Sequence, residues 1–251
     1  MLQFLYPLQR EFLTYIVVLG ATPIPIQNQL KRDSGYGCSI CGCPLLEYVQ
    51  INPSSKPSEF LPENMAAICP NHNQKFCKHE ISRTQLFDFK TKPHNKINAN
   101  DAFAIKSAEL IVNIGKTKFI NTYRILSVDD FDLIAIRKED NLYLVLDVNF
   151  FDAQNNLIGV VSENSWSTDK REGWSIEYEP RHLRIRNATK KISFEAKIEY
   201  DEIFVTANMY YNGITININK EQILFGDIEQ AIEMKDTTLK NYDAGISLQT
   251  R

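Results

Sequence analysis

From about residue 108 onward, apolar and polar side chains alternate in short runs, which is the pattern of half-buried β-strands. Turn-favouring residues separate these runs, and the pair Asn212-Gly213 predicts a type I′ hairpin because both residues tolerate a positive φ. Short strands at this spacing predict a mostly antiparallel all-β sandwich or barrel-like domain. The predicted strands are Leu110–Ile114, Arg124–Val128, Leu133–Arg137, Leu142–Phe150, Leu157–Glu163, Trp174–Glu179, Leu183–Arg186, Ile192–Tyr200, Ile203–Tyr210 and Ile214–Ile218.

The first hundred residues have a different pattern, rich in proline, cysteine and turn residues. A short strand is predicted over Leu45–Ile51. A helix is predicted over Arg83–Thr91, since Ser82 and Gln85 have the spacing of a capping box and Pro93 ends the helical run. The polar residues 92–100 have the composition of a linker. The sequence therefore predicts two domains, residues 1–100 and residues 101–251, the second ending in a C-terminal tail.

Charge limits what the chain can bind. Its net charge of −3 and its isoelectric point near 5.9 argue against a protein that coats nucleic acid through bulk positive charge. Residues 1–100 nevertheless carry 10 Lys and Arg against 7 Asp and Glu, while the remainder carries 18 against 24. Any polyanion-binding surface is therefore expected in the first part.

The apolar stretch Phe12–Leu19 is too short to span a bilayer, and no cationic segment of the secretory type precedes it. We therefore expect a cytoplasmic protein with no membrane partner.

Two pairs of soft metal ligands carry the strongest chemical signal. Cys38-Ser-Ile-Cys41 and Cys69-Pro-Asn-His72 each leave two residues between their ligands, and twenty-seven residues separate the pairs. This spacing is typical of a closed, tetrahedral structural Zn²⁺ site. A disulfide framework is the alternative, but the chain has five cysteines, an odd number. Cys43 and Cys77 are left over, either as substitute ligands or as small, at least partly buried thiols.

Residues 24–96 resemble the HNH endonucleases, whose zinc-stapled ββα-metal fold has this order of motifs. The matching segments are Gly37–Tyr48 with the first ligand pair, Val49–Pro53, Glu63–Lys75 with the second pair, and the upstream Ile24–Arg32. The resemblance implies an α+β chain in which a zinc-stapled HNH-like module precedes the β-rich domain. It places structural zinc on Cys38, Cys41, Cys69 and His72.

The resemblance also implies that the nuclease centre is degenerate. The family's strand supplies an acidic residue or histidine and then a general-base histidine, where this chain has Val49 and Gln50. The base-orienting asparagine is kept as Asn64, whereas the last metal-binding histidine is replaced by Asn73. Hydrolysis of a phosphodiester needs a base and a hard cation, which these replacements do not supply. A rearranged centre built from Glu47, His79 and Glu80 is the alternative.

Two functions remain open on the sequence. The first is a non-catalytic recognition or scaffold protein that contacts a protein or, weakly and without sequence preference, nucleic acid. The basic residues proposed for that contact are Lys31, Arg32, Lys75, Lys78 and Arg83. The β-rich domain would then supply partner contacts or self-association into a homo-oligomer. The second function is a metal-dependent HNH-type endonuclease with a rearranged active site.

Overall fold

The structure is a computed structural model that describes residues 22–53, 60–129, 131–168, 173–226 and 236–249. All described α-helices lie in the first hundred residues. They are α1 (Ile24–Asp33), α2 (Pro70–Cys77), α3 (Arg83–Thr91) and α4 (His94–Ile97), and a 3-10 turn spans Pro62–Asn64.

Strands make up most of the regular structure. The first two, β1 (Glu47–Gln50) and β2 (Met65–Ile68), precede the second ligand pair. The others follow residue 110: β3 (Ile111–Ile114), β4 (Thr117–Ile120), β5 (Arg124–Val128), β6 (Phe131–Glu139), β7 (Tyr143–Phe151), β8 (Leu157–Ser162), β9 (Ser165–Ser167), β10 (Ser175–Glu179), β11 (His182–Arg186), β12 (Ile192–Glu199), β13 (Glu202–Tyr211), β14 (Ile214–Ile218), β15 (Ile223–Phe225), β16 (Thr238–Lys240) and β17 (Ala244–Leu248).

These strands form three sheets. β1 and β2 pair as an antiparallel ribbon. A six-stranded sheet has the order β17-β5-β6-β7-β8-β9. A nine-stranded sheet has the order β10-β11-β12-β13-β3-β4-β16, and β14 and β15 extend it from β13. Most neighbours are antiparallel, but β3 with β13, β16 with β4 and β17 with β5 are parallel.

The two large sheets pack against each other around one apolar core. Strand β13 shows how the sequence produces this core, because Ile203, Val205, Ala207 and Met209 are buried while the residues between them are more exposed. The Tyr211 ring at the end of β13 stacks on Phe131 of β6, with ring centroids 5.7 Å apart. The prediction of a mixed α+β chain dominated by antiparallel strands is confirmed.

Every predicted strand beyond residue 108 corresponds to an observed one, with ends that differ by no more than two residues. The Asn212-Gly213 hairpin has a positive φ at both residues, as a type I′ turn requires. The capping box of α3 is also observed, with Ser82 Oγ accepting from the Gln85 backbone N–H at 3.2 Å. The pattern did not indicate β4, β9, β15, β16 or β17, most of which have only three or four residues.

The helical part packs directly onto the six-stranded sheet. Leu46 forms an isolated parallel bridge with Ser165, and its N–H donates to the Asn164 carbonyl at 2.8 Å. Lys31 of α1 reaches the Glu163 backbone carbonyl at 3.0 Å and the Glu163 carboxylate at 3.3 Å. The two parts of the chain therefore share an interface that includes buried apolar and polar contacts.

Residues 92–100 are not an open linker along their whole length. Helix α4 lies within them, and the Asn95 side chain is only 2% exposed. Its amide donates to the Gly35 carbonyl at 2.9 Å, which ties this segment to the turn before the first ligand pair. The predicted division into residues 1–100 and 101–251 stays a prediction.

No helix in the described ranges combines the length and the apolar composition needed to cross a lipid bilayer. The apolar stretch Phe12–Leu19 lies outside the described residues.

Candidate metal centre

The first ligand pair sits in a tight turn. The Cys38 N–H donates to the Cys43 carbonyl and the Gly42 N–H donates to the Cys38 carbonyl, both at 2.8 Å. Gly42 has φ +76°, a conformation that glycine adopts at little cost. The Ile40 N–H points at Cys38 Sγ at 3.4 Å, which supports negative charge on that sulfur. The turn therefore directs both cysteine side chains toward one point.

The second ligand pair begins helix α2. Cys69 is the N-cap residue in an extended conformation, and Pro70 occupies the first helical position, where a missing N–H costs nothing. The Asn73 N–H donates to the Cys69 carbonyl at 2.8 Å and starts the helix. His72 therefore lies in the first turn, with its ring beside the Cys69 sulfur.

The four ligand atoms have the separations expected around one ion. Cys41 Sγ lies 3.9 Å from Cys69 Sγ, and His72 Nδ1 lies 3.5 Å from Cys38 Sγ and 3.2 Å from Cys69 Sγ. All four atoms lie within 4.8 Å of one another. A tetrahedral Zn²⁺ with ordinary bond lengths places sulfurs about 3.8 Å apart and sulfur and nitrogen about 3.6 Å apart. The predicted ligands thus form a site that can hold a metal ion, and the donor set fits zinc.

Burial and hydrogen bonding shift the pKa values of the clustered thiols in opposite directions. Burial raises the pKa of the Cys38 thiol to about 12. Hydrogen bonds from Cys38, Cys41 and Cys43 instead lower the pKa of Cys69. A metal ion binds the thiolate forms, so its binding at this cluster would release the protons of the cysteine thiols. All five cysteines are free; Cys43 is buried and Cys77 is exposed.

The four positions at which the predicted resemblance would place HNH functional residues have structural partners or lack the required chemistry. Val49 and Gln50 lie on β1. The Asn64 side chain holds the turn after β1, because Oδ1 accepts from the Asn52 N–H at 3.0 Å and Nδ2 donates to the Asn52 carbonyl at 2.8 Å. Asn73 is 7% exposed, and its amide donates to the Glu47 carboxylate.

The residues of the alternative centre do not line one common pocket. Glu47 lines a small pocket with Trp166 and Trp174, whereas Glu80 lines a larger, adjoining cleft. His79 is exposed after the end of α2 and lines neither. Among the described residues, Cys38, Cys41, Cys69 and His72 are the one group of three or more His, Cys, Asp or Glu side chains close enough to share an ion.

The five predicted basic residues differ in accessibility. Arg32, Lys75, Lys78 and Arg83 are exposed, and none forms an ion pair with a described residue. Lys31 is 5% exposed and is held by Glu163. The prediction that it belongs to an exposed basic surface is therefore wrong, and its role is structural. The helical period explains the difference, because Lys31 lies one turn after Gln27, whose Oε1 accepts from the Ser165 hydroxyl of β9 at 3.2 Å.

Sequence reasoning missed several residues that build the site. Asn95 braces the first turn from α4, although its stretch has the composition of a linker. Asn71 lies between the second pair of ligands and donates to the Ile176 carbonyl of β10 at 2.7 Å. The position of Asn71 between Cys69 and His72 was the one sign in the sequence that this residue could matter. Its partner Ile176 is 105 residues away, and no local pattern indicates that contact.

Comparisons with protein-family models, with curated proteins and with solved structures found no match to this chain.

Proposed function

We propose that this chain is a zinc-stapled, HNH-like recognition protein that binds nucleic acid without cutting it. Cys38, Cys41, Cys69 and His72 would hold the Zn²⁺, and the ion would fix the two turns and the start of α2. Four protein ligands complete a tetrahedral shell, so this site has no position for a reacting water. Its role in the proposal is therefore structural.

The main support for the proposal is that the residues at the expected HNH functional positions lack catalytic groups or are bound to other residues. Val49 and Gln50 cannot act as metal ligand and general base, and the Asn73 amide is bound to the Glu47 carboxylate. In the part of the chain that the structure describes, no second group of hard ligands is close enough to share an ion. Asn64, which would orient a base, holds the Asn52 turn instead.

Nucleic acid is proposed as the partner because exposed positive charges lie on the metal-binding part. Arg32, Lys75, Lys78 and Arg83 are exposed without an acidic partner among the described residues. Several arginines of the large sheets are neutralised by neighbouring carboxylates, as in the pairs Arg124–Asp132 and Arg186–Glu177. Unpaired cations on the metal-binding part make it the attractive surface for a polyanion.

We expect the purified protein, residues 1–251, with Mg²⁺ or Mn²⁺ to leave plasmid and single-stranded DNA intact, and to retain both at low salt. The Lys75→Glu, Lys78→Glu double variant should weaken retention and lower the salt slope by roughly two, since two phosphate contacts are lost. Fluorescence anisotropy across a salt series measures both quantities. The matched control is Lys190→Glu, Lys191→Glu, which reverses two exposed lysines on the β-rich part.

Two outcomes would contradict the proposal. Cleavage that disappears in Glu47→Ala or His79→Ala would establish the rearranged nuclease. Absence of retention at low salt, or equal loss in both double variants, would remove nucleic acid as the partner and favour a protein-binding role.

A further inference from the structure

A cleft of about 450 Å³ opens between α2 and β10, beside the metal centre. We name it the α2–β10 cleft. Its volume lies in the range of pockets that enclose small molecules. The lining residues that matter for a ligand are His72, Gln74, Lys75, Lys78, Ile176 and Tyr178.

One wall of the α2–β10 cleft is apolar and held in place. Ile176 is 5% exposed, and its carbonyl accepts from the Asn71 amide at 2.7 Å. The Tyr178 hydroxyl donates to the Asp101 carbonyl at 2.8 Å, which fixes the ring against the start of the β-rich part. An aromatic ring and an aliphatic side chain fixed in this way form a surface on which a flat base can pack.

The floor offers a hydrogen-bond donor without a protein acceptor. His72 turns Nδ1 toward the Cys38 and Cys69 sulfurs, so a ring that binds an ion there carries its proton on Nε2. Metal-binding histidines usually donate this second N–H to an acceptor. No described residue accepts from His72 Nε2. The Gln74 amide, which is exposed on α2, lines the same cleft and can donate or accept.

The rim is cationic. Lys75 and Lys78 are three residues apart on α2 and at its C-cap, so they lie on one side of the helix. Neither has an acidic partner among the described residues, and Glu80 is the only carboxylate that lines the cleft. The charges of Lys75 and Lys78 favour an anionic group of a ligand at this rim.

We infer that the α2–β10 cleft binds one nucleotide unit, with its base against Ile176 and Tyr178 and its phosphate at Lys75 and Lys78. The base would accept a hydrogen bond from His72 Nε2–H, and Gln74 would contact its edge. This inference rests on the proposed function and deepens it, because it places one unpaired nucleotide of a bound strand in the cleft. A free nucleotide offers the same base and phosphate, so the test distinguishes the two sources. The volume suits one unpaired nucleotide and is too small for a duplex.

Isothermal titration of the zinc-loaded full chain with 5′-AMP and with adenosine tests the base and phosphate contacts separately. We expect AMP to bind roughly fivefold more tightly than adenosine, since two exposed lysines contact its phosphate. In Lys75→Ala, Lys78→Ala the two affinities should become nearly equal. Gln74→Trp, which fills the cleft from an exposed helix position, should abolish binding of both.

Lys92→Ala is the matched control, because Lys92 is an exposed lysine of the same part of the chain that does not line the cleft. Far-ultraviolet circular dichroism and zinc content should be unchanged in each variant. The inference is overturned if AMP does not bind at millimolar concentration, if AMP and adenosine bind the wild type equally, or if Gln74→Trp binds AMP normally.

Single-stranded oligonucleotides distinguish the two sources of the nucleotide. If a strand supplies it, an oligonucleotide competes with AMP, and Gln74→Trp loses single-strand retention while duplex retention persists. If AMP binds but no strand is retained or competes, the cleft stands as a site for free nucleotides and the proposed strand binding fails. If strands are retained by wild type and Gln74→Trp alike and AMP does not bind, the proposed function stands and the cleft inference fails.

Discussion

Replacing Cys69 by serine is expected to release the metal ion and unfold residues 38–97 while the two large sheets remain folded. The regular elements of this part are a two-stranded ribbon and helices of nine residues or fewer, which are marginal alone in water. Structural Zn²⁺ contributes about 10–16 kcal/mol to the folding of isolated zinc-finger peptides. The free energy lost with one of the four ligands is therefore larger than local packing can replace. The large sheets keep their own hydrogen-bonded ladders.

Limited proteolysis with mass spectrometry locates the loss, and circular dichroism reports whether the strands persist. Cys77→Ser is the matched control, because Cys77 is an exposed free cysteine on the same helix and is not a ligand. We expect this control to keep zinc and protease resistance. A Cys69→Ser protein that resists proteolysis within 38–97 would show that the metal centre does not hold this part together.

Replacing Asn164 by leucine is expected to cost about 3–5 kcal/mol of unfolding free energy. The Asn164 side chain is 1% exposed; Oδ1 accepts from the Leu146 N–H at 2.8 Å and Nδ2 donates to the Leu144 carbonyl at 2.9 Å. Leucine would leave both backbone groups buried without a partner. It would also occupy a φ of +65°, which strains residues larger than glycine or asparagine.

The matched control is Asn241→Leu, which imposes the same change at a φ of +57° but at an exposed position. Only backbone strain of about 1–2 kcal/mol is expected there. Urea denaturation of both variants, with the slope checked for two-state behaviour, measures the difference. Equal costs for the two variants would show that strain, and not the buried hydrogen bonds, dominates at Asn164.

Local patterns in the sequence predict the strands well, because alternation and turn residues act within ten residues. Strand β13 illustrates this, since its buried and exposed residues alternate along its whole length. The parallel pairs β3–β13, β16–β4 and β17–β5 were not predictable in this way. Each joins segments far apart in the chain, and their partners are chosen by packing of the two sheets.

In the candidate site, too, the features set by local sequence could be predicted, whereas those that depend on distant partners could not. The ligand set follows from the spacing of Cys38, Cys41, Cys69 and His72, since a pair with two intervening residues brings its side chains to one ion. The roles of Asn73, Asn95 and Lys31 depend on partners 26 to 132 residues away. The HNH resemblance stays a prediction. It assigns roles to positions in the sequence, but the contacts of those side chains follow only from the structure.

Metal analysis of the protein, purified without added metal, determines whether the centre is a closed structural zinc site. Inductively coupled plasma mass spectrometry should find one zinc per chain and no tightly bound manganese or magnesium. X-ray absorption at the zinc edge should show three sulfurs at about 2.3 Å and one nitrogen at about 2.0–2.1 Å. Absence of zinc, an oxygen-containing zinc shell, or a second divalent ion bound through Glu47 would contradict a closed structural centre in a protein that does not cut nucleic acid.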